Sequence, residues 1–129
     1  MKQILFIHGG TLAKDNQELL ETMSKWDINP FKERKRRRDT LYKHFPDFTF
    51  IKPDMPNKEL ANYALWKMWF EKHIPFLDPE ELIIIGHSLG GMFLTKYFAE
   101  NSFPLPVAQL HLVAPVLDQE GLNEGDNYL

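Results

Sequence analysis

The chain has 129 residues, 43% of them apolar and 26% charged, with a formal net charge of −3. That suits one globular domain, and the acidic balance argues against a general nucleic-acid binder. There is no cysteine, so disulfides, thiolate nucleophiles and cysteine zinc sites are excluded. No apolar run approaches the ~20 residues that span a bilayer, and no membrane partner is expected. The apolar run Ile4-Leu5-Phe6-Ile7 is too short for a secretory leader, which predicts a cytoplasmic protein opening on a strand.

In chain order, residues 3–8 read as the first strand, ended by Gly9-Gly10. Residues 16–25 read as a helix, with Leu19, Leu20 and Met23 at helical spacing and Asp15 as its cap. Residues 29–44 read as a second helix, which carries Lys32-Glu33-Arg34-Lys35-Arg36-Arg37-Arg38 and then Leu41 and Phe45. One short basic run inside an acidic protein is read as a solvated helix face rather than a nucleic-acid patch. Residues 48–52, between Pro46-Asp47 and Pro53, form the second predicted strand. Residues 57–76 form the longest predicted helix, its apolar face built from Leu60, Ala64, Leu65, Met68, Trp69 and Phe76.

Residues 81–86 hold the continuous run Leu82-Ile83-Ile84-Ile85 and read as the third strand. A helix over 88–100 follows, with Met92, Phe93, Thr95, Tyr97 and Phe98, and then a fourth strand over 109–114 with Leu110, Leu112 and Val113. Short continuous apolar runs suit strands buried on both faces of a parallel sheet. Strands alternating with helices predict an α/β fold of doubly wound, mostly parallel type, in one domain with no repeat or linker. The expected strand order is second, first, third, fourth, which puts a ligand crevice between the first and third strands.

Gly86-His87-Ser88-Leu89-Gly90 matches G-x-S-x-G. The match directly follows a predicted strand and opens a predicted helix, the context a nucleophile elbow requires. The flanking glycines make room for a tight turn, and Ser88 is expected in a strained conformation with φ of about +60°. The helix start beneath it favours developing negative charge. Acyl transfer also needs two N–H donors for the oxyanion. Leu89, after the serine, is the first. His8-Gly9-Gly10-Thr11 supplies the second, with Gly10 favoured over Thr11. A phosphate-binding reading of this loop lacks the full G-x-G-x-x-G spacing.

The sequence resembles the small bacterial serine hydrolases related to retinoblastoma-binding protein nine, within the α/β-hydrolase fold. The resembling stretches are Leu5-Phe6-Ile7-His8-Gly9-Gly10, Met55-Pro56-Asn57-Lys58, Trp66-Lys67-Met68-Trp69-Phe70-Glu71-Lys72, residues 83–91 and Leu112-Val113-Ala114-Pro115. The resemblance implies a serine hydrolase that acts on a small-molecule ester or amide, with Ser88 as nucleophile and Gly9 and Gly10 in the oxyanion loop. It implies no cofactor, and no metal-ligand spacing is present. The family orders its triad as serine, acid, histidine, with the last two after later strands. This chain ends at Leu129, soon after its fourth strand. The expectation is therefore a domain incomplete at its C-terminus, lacking the triad acid and histidine.

Asp118 is a candidate substitute acid, after the fourth strand. His111 is expected to point into a packed face, His87 to pack locally and His8 to order the oxyanion loop. His44 and His73 are expected at the surface. Trp66, Trp69 and Phe70 are read as core before acyl pocket. Self-association is expected through the last strand, with Leu110, Leu112, Val113, Val116 and Leu117 uncovered and Phe93 and Tyr97 beside them. The alternative function is a non-catalytic binding module, or an inactive fragment, that keeps the crevice without the chemistry.

Overall fold

The computed structural model describes residues 1–11, 13–32 and 41–113. Its elements are β1 (Lys2–Ile7), α1 (Asn16–Ser24), β2 (Thr49–Ile51), α2 (Tyr63–His73), β3 (Glu81–His87), α3 (Leu89–Glu100) and β4 (Gln109–Val113). The four strands are all parallel, in the order β2-β1-β3-β4. This is the parallel α/β sheet that the apolar runs predict, in the strand order expected above. Ile4 pairs with Ile83, Ile7 with Gly86, and Gly86 in turn with Leu112.

Alternation along β1 and β3 makes two cores. Leu5, Ile7, Leu82 and Ile84 meet Trp66 and Phe70 of α2 and Met92, Phe93, Leu94 and Tyr97 of α3. Ile4, Phe6, Ile83 and Ile85 form the other face, against Leu41, Phe48 and Phe50. The chain steps one way from β1 to β2 and the other way from β2 to β3 to β4. Right-handed crossovers put α2 and α3 on one face, and two residues from between β1 and β2, Leu41 and Phe48, pack on the other.

Asp15 caps α1, its carboxylate accepting the Glu18 N–H at 2.9 Å. The helix expected over 57–76 begins six residues later, at Tyr63, where the Asn62 side chain accepts the Leu65 N–H at 3.2 Å. Pro56 and the left-handed Asn57, at φ 50°, keep the preceding segment in a turn. The buried stripe of α2 is also not the predicted one. Trp66 and Phe70 are fully buried, whereas Leu65, Met68 and Trp69 are exposed. Phe76, in a 3-10 turn over Ile74–Phe76, is exposed too. Of the helix expected over 29–44, residues 29–32 make a turn in which Asn29 Oδ1 accepts the Phe31 N–H at 3.0 Å. Tyr42–His44 is a 3-10 turn. Residues 33–40, with most of the basic run, lie outside the described residues.

Among the described residues β4 is the outer strand, and all five of its residues are exposed. His111 therefore does not point into a packed face. It is exposed and its Nε2 pairs with Gln109 Oε1 at 2.7 Å. Phe93 and Tyr97, expected beside the uncovered edge, are instead buried by α2, through Trp66 and Phe70. Leu110, Leu112 and Val113 are 41%, 37% and 47% exposed, and the strand carries no charge. Val116, Leu117 and Asp118 lie outside the described residues. An uncharged open edge invites pairing. The expected result on size-exclusion chromatography is concentration-dependent self-association, relieved by Leu112→Lys; a monomer at every concentration contradicts it.

Tyr97 is buried, and its hydroxyl donates to Glu71 Oε1 at 3.1 Å in a partly buried bond. Burial first, and then the bond to the Glu71 carboxylate and its charge, push the Tyr97 phenol up to about 12. An unfolded tyrosine titrates at about 10. The folded value is the higher one, so the stability linked to it is complete below pH of about 10 and is lost as pH rises through about 12. Denaturant midpoints of the wild type are expected to fall relative to those of Tyr97→Phe across that window. Parallel curves would show that no such linkage exists.

Candidate active site

β3 delivers the chain to the C-terminal edge of the sheet. Gly86 is buried under Leu94, and His87 is already exposed. Ser88 then adopts φ 54° and ψ −116°, outside the ordinary regions for a residue with a side chain. Such a conformation costs of order 1–3 kcal/mol and persists only when its surroundings fix it. The Ser88 N–H donates to the Val113 carbonyl of β4 at 2.9 Å. Its carbonyl accepts the Gly91 and Met92 N–H groups at 2.9 and 3.1 Å, which starts α3. The Ser88 backbone is thus held from the sheet and from the helix, while its hydroxyl does not cap the helix. The first turn of α3 lies hard against β1. A Cβ on Gly90 would sit 2.2 Å from the Ile7 carbonyl oxygen and 2.6 Å from that of His8.

The loop after β1 reaches the same place. A Cβ on Gly9 would lie 3.3 Å from Ser88 Cβ, so Gly9 faces the serine directly. A Cβ on Gly10 would lie 2.9 Å from Leu89 Cδ2 and 2.3 Å from the Lys58 carbonyl oxygen. Gly10 is exposed and Ser88 half-buried, which leaves the site open to solvent. The Thr11 N–H donates to the Lys58 carbonyl at 2.7 Å and is spent. The Gly10 and Leu89 N–H groups have no backbone partner among the described residues. Of the two candidates in the loop after β1, Gly10 is therefore the one left with a donor to offer.

His8 is buried, and both its ring nitrogens are engaged. Nε2 accepts the Met55 N–H at 2.9 Å, and Nδ1 meets the Gly9 carbonyl oxygen at 2.5 Å. An acceptor at Nε2 assigns the proton to Nδ1, which then donates to Gly9. The ring has no lone pair left for the Ser88 proton. Asp54 Oδ1 is 3.8 Å from Nε2 but is 95% exposed. Trp66 stands edge-on to His8 at 5.9 Å, and its Nε1–H donates to the Pro56 carbonyl at 2.7 Å. Trp66 and Phe70 are core, and Trp69 is partly exposed, with its carbonyl against His73 Nδ1 at 2.7 Å.

All five histidines are described, and none hydrogen-bonds Ser88 Oγ. His44 is exposed on its 3-10 turn and His87 is exposed beside Gly9. Asp118 lies outside the described residues. Among the described residues no group of three His, Asp or Glu side chains could hold a metal, and no helix is long and apolar enough to cross a membrane. An open concavity of about 650 Å³, lined by Trp26, Ile28 and Pro30, does not include Ser88. The 55–58 loop, which fastens the loop after β1, is a support that residue patterning alone does not single out. Its signals are a Pro-Asn pair suited to a tight turn and a nearby tryptophan whose N–H needs an acceptor. Compared with known proteins, the chain matches no protein-family model, no curated protein and no solved structure.

Proposed function

We propose that the chain carries the nucleophile and oxyanion half of a serine-hydrolase site of the α/β-hydrolase type, acting on a small-molecule ester or amide. One observation carries this reading: Ser88 sits at φ 54° on a strand-to-helix turn, with Gly9 against it and the Gly10 and Leu89 N–H groups without a backbone partner among the described residues. Ser88 Oγ gives its proton to a base as it bonds to the carbonyl carbon, and the carbonyl oxygen becomes an oxyanion held by the Gly10 and Leu89 amides. Collapse expels the alcohol or amine, which takes that proton back from the base, and leaves an acyl-serine, which water hydrolyses. The α3 N-terminus adds a favourable field for the negative charge.

A serine hydroxyl needs a base at neutral pH. None of the five histidines supplies one as placed, so the reading needs a histidine and an acid that the described residues do not bring to Ser88. The isolated chain is expected to turn over a short-chain ester barely above buffer, with little change in Ser88→Ala, since oxyanion donors alone sustain only residual catalysis. It is expected to take up an alkyl phosphonate probe slowly, with the added mass on the Ser88 peptide and lost in Ser88→Ala. The missing histidine contact also favours a second reading, a binding module that keeps the crevice alone. Absence of label at Ser88 after prolonged exposure decides for it.

A further inference from the structure

Three hydrogen bonds tie the 55–58 loop to its surroundings. The Met55 N–H enters His8 Nε2, the Pro56 carbonyl accepts the Trp66 indole N–H, and the Lys58 carbonyl accepts the Thr11 N–H. Two of these partners flank Gly9-Gly10 in sequence, and the third is fully buried in α2. Asn57 at φ 50° makes the turn that lets these successive positions face different elements. The loop is therefore a strap between α2 and the end of β1.

The strap acts on one peptide plane. Among the described residues there is no cis peptide bond, so the Gly9 carbonyl and the Gly10 N–H point to opposite sides of their plane. His8 Nδ1–H grips that carbonyl and so aims the Gly10 N–H away from the ring. Nδ1 carries the proton because Nε2 is taken by Met55. We propose that Trp66 is a positioning residue for the Gly9–Gly10 peptide. Its indole N–H holds the strap so that the Met55 N–H fixes His8 in the tautomer that grips Gly9. The proposal rests on the reading of Gly10 as an oxyanion donor. It adds a control on that donor from a residue that touches neither Ser88 nor substrate. A buried indole N–H needs an acceptor in any fold; what marks this one is that its acceptor adjoins the residue that sets the His8 tautomer.

The test is nitrogen-15 NMR of the whole chain. In the wild type, His8 is expected to show a protonated Nδ1 and an unprotonated Nε2. Trp66→Phe keeps an aromatic ring and deletes the donor. It is expected to move the His8 proton partly from Nδ1 to Nε2, which loss of the neighbouring ring edge alone would not do, and to shift the Gly10 amide. Phe70→Leu, also buried in α2 but with its ring against Phe93, Tyr97 and Phe103, is expected to leave them in place. The opposite His8 tautomer in the wild type overturns the proposal, as do unmoved signals in Trp66→Phe or equal movement in Phe70→Leu. Should Trp66→Phe fail to fold, benzothienylalanine at position 66, isosteric with tryptophan but without the N–H, gives the same readout.

These signals do not depend on any reaction at Ser88. Phosphonate labelling, expected to slow about 10-fold or more in Trp66→Phe, depends on the hydrolase reading as well. Shifted signals without any labelling of the wild type would uphold the strap and end the hydrolase reading. Unmoved signals with normal labelling would do the reverse.

Discussion

Gly90→Ala is expected to destabilise the chain by about 3 kcal/mol or more, the opposite of what the same change does in an ordinary helix. Replacing a helical glycine with alanine normally stabilises by about 0.8–1 kcal/mol. At Gly90, in the first turn of α3, the new Cβ would lie 2.2 Å from the Ile7 carbonyl oxygen and 2.6 Å from that of His8. Both obstacles are backbone at the end of β1, where Ile7 is paired with Gly86 of β3. Neither can swing away as a side-chain end could. Relief requires α3 to lift from β1, which would unseat Ser88 and expose Leu89, Met92 and Phe93. Overpacking of this kind costs about 1–3 kcal/mol where a core can adjust, and more where it cannot. Gly9→Ala is the control, since its Cβ would meet nothing closer than 3.3 Å. Urea midpoints of the two variants should separate widely. A Gly90→Ala midpoint at or above the wild type would mean that α3 does not rest on β1 as described.

Phe93→Ala is expected to cost about 3–5 kcal/mol. The Phe93 ring is fully buried and lies 5.4–5.9 Å, centroid to centroid, from Tyr63, Trp66, Phe70 and Tyr97. With the Phe70–Tyr97 pair, it joins α2 and α3 in one aromatic layer over β1 and β3. Its removal leaves a cavity that four rigid rings cannot collapse to fill. Against a net stability of about 5–15 kcal/mol for a natural domain, the loss is a large fraction. Phe76→Ala, at a ring that is 75% exposed, should stay within about 0.5 kcal/mol. If the two phenylalanines cost the same in guanidinium unfolding, the aromatic layer is not the core of this fold.

The parallel sheet is legible in the sequence because Ile4-Leu5-Phe6-Ile7 and Leu82-Ile83-Ile84-Ile85 are apolar on consecutive residues. That pattern has few uses other than a strand covered on both faces. The turn at Ser88 is legible because glycine stands at both its flanks, where no side chain fits. The start of the long helix was not legible, because Asn57 and Asn62 are equally good caps. Only the left-handed backbone at Asn57 tells them apart. Its buried face was hidden for a related reason. Tyr63-Ala64-Leu65-Trp66-Lys67-Met68-Trp69-Phe70 is apolar on almost every side, so spacing alone selects no stripe, and the packing against Phe93 decides for Trp66 and Phe70. His111 was misplaced because strand periodicity says which residues share a face and nothing about whether that face is covered. The clasp of the 55–58 loop on His8 is made by backbone groups, which carry no residue signature.

The most direct test of the central claim, that Ser88, Gly10 and Leu89 form one acyl-transfer site, is a crystal structure of the chain after prolonged exposure to an alkyl phosphonate. The account predicts phosphorus bonded to Ser88 Oγ, with the phosphonyl oxygen accepting hydrogen bonds of about 2.7–3.1 Å from both the Gly10 and the Leu89 N–H. An adduct whose phosphonyl oxygen faces solvent or any other donor pair, or a Ser88 left unmodified while other residues react, would contradict it.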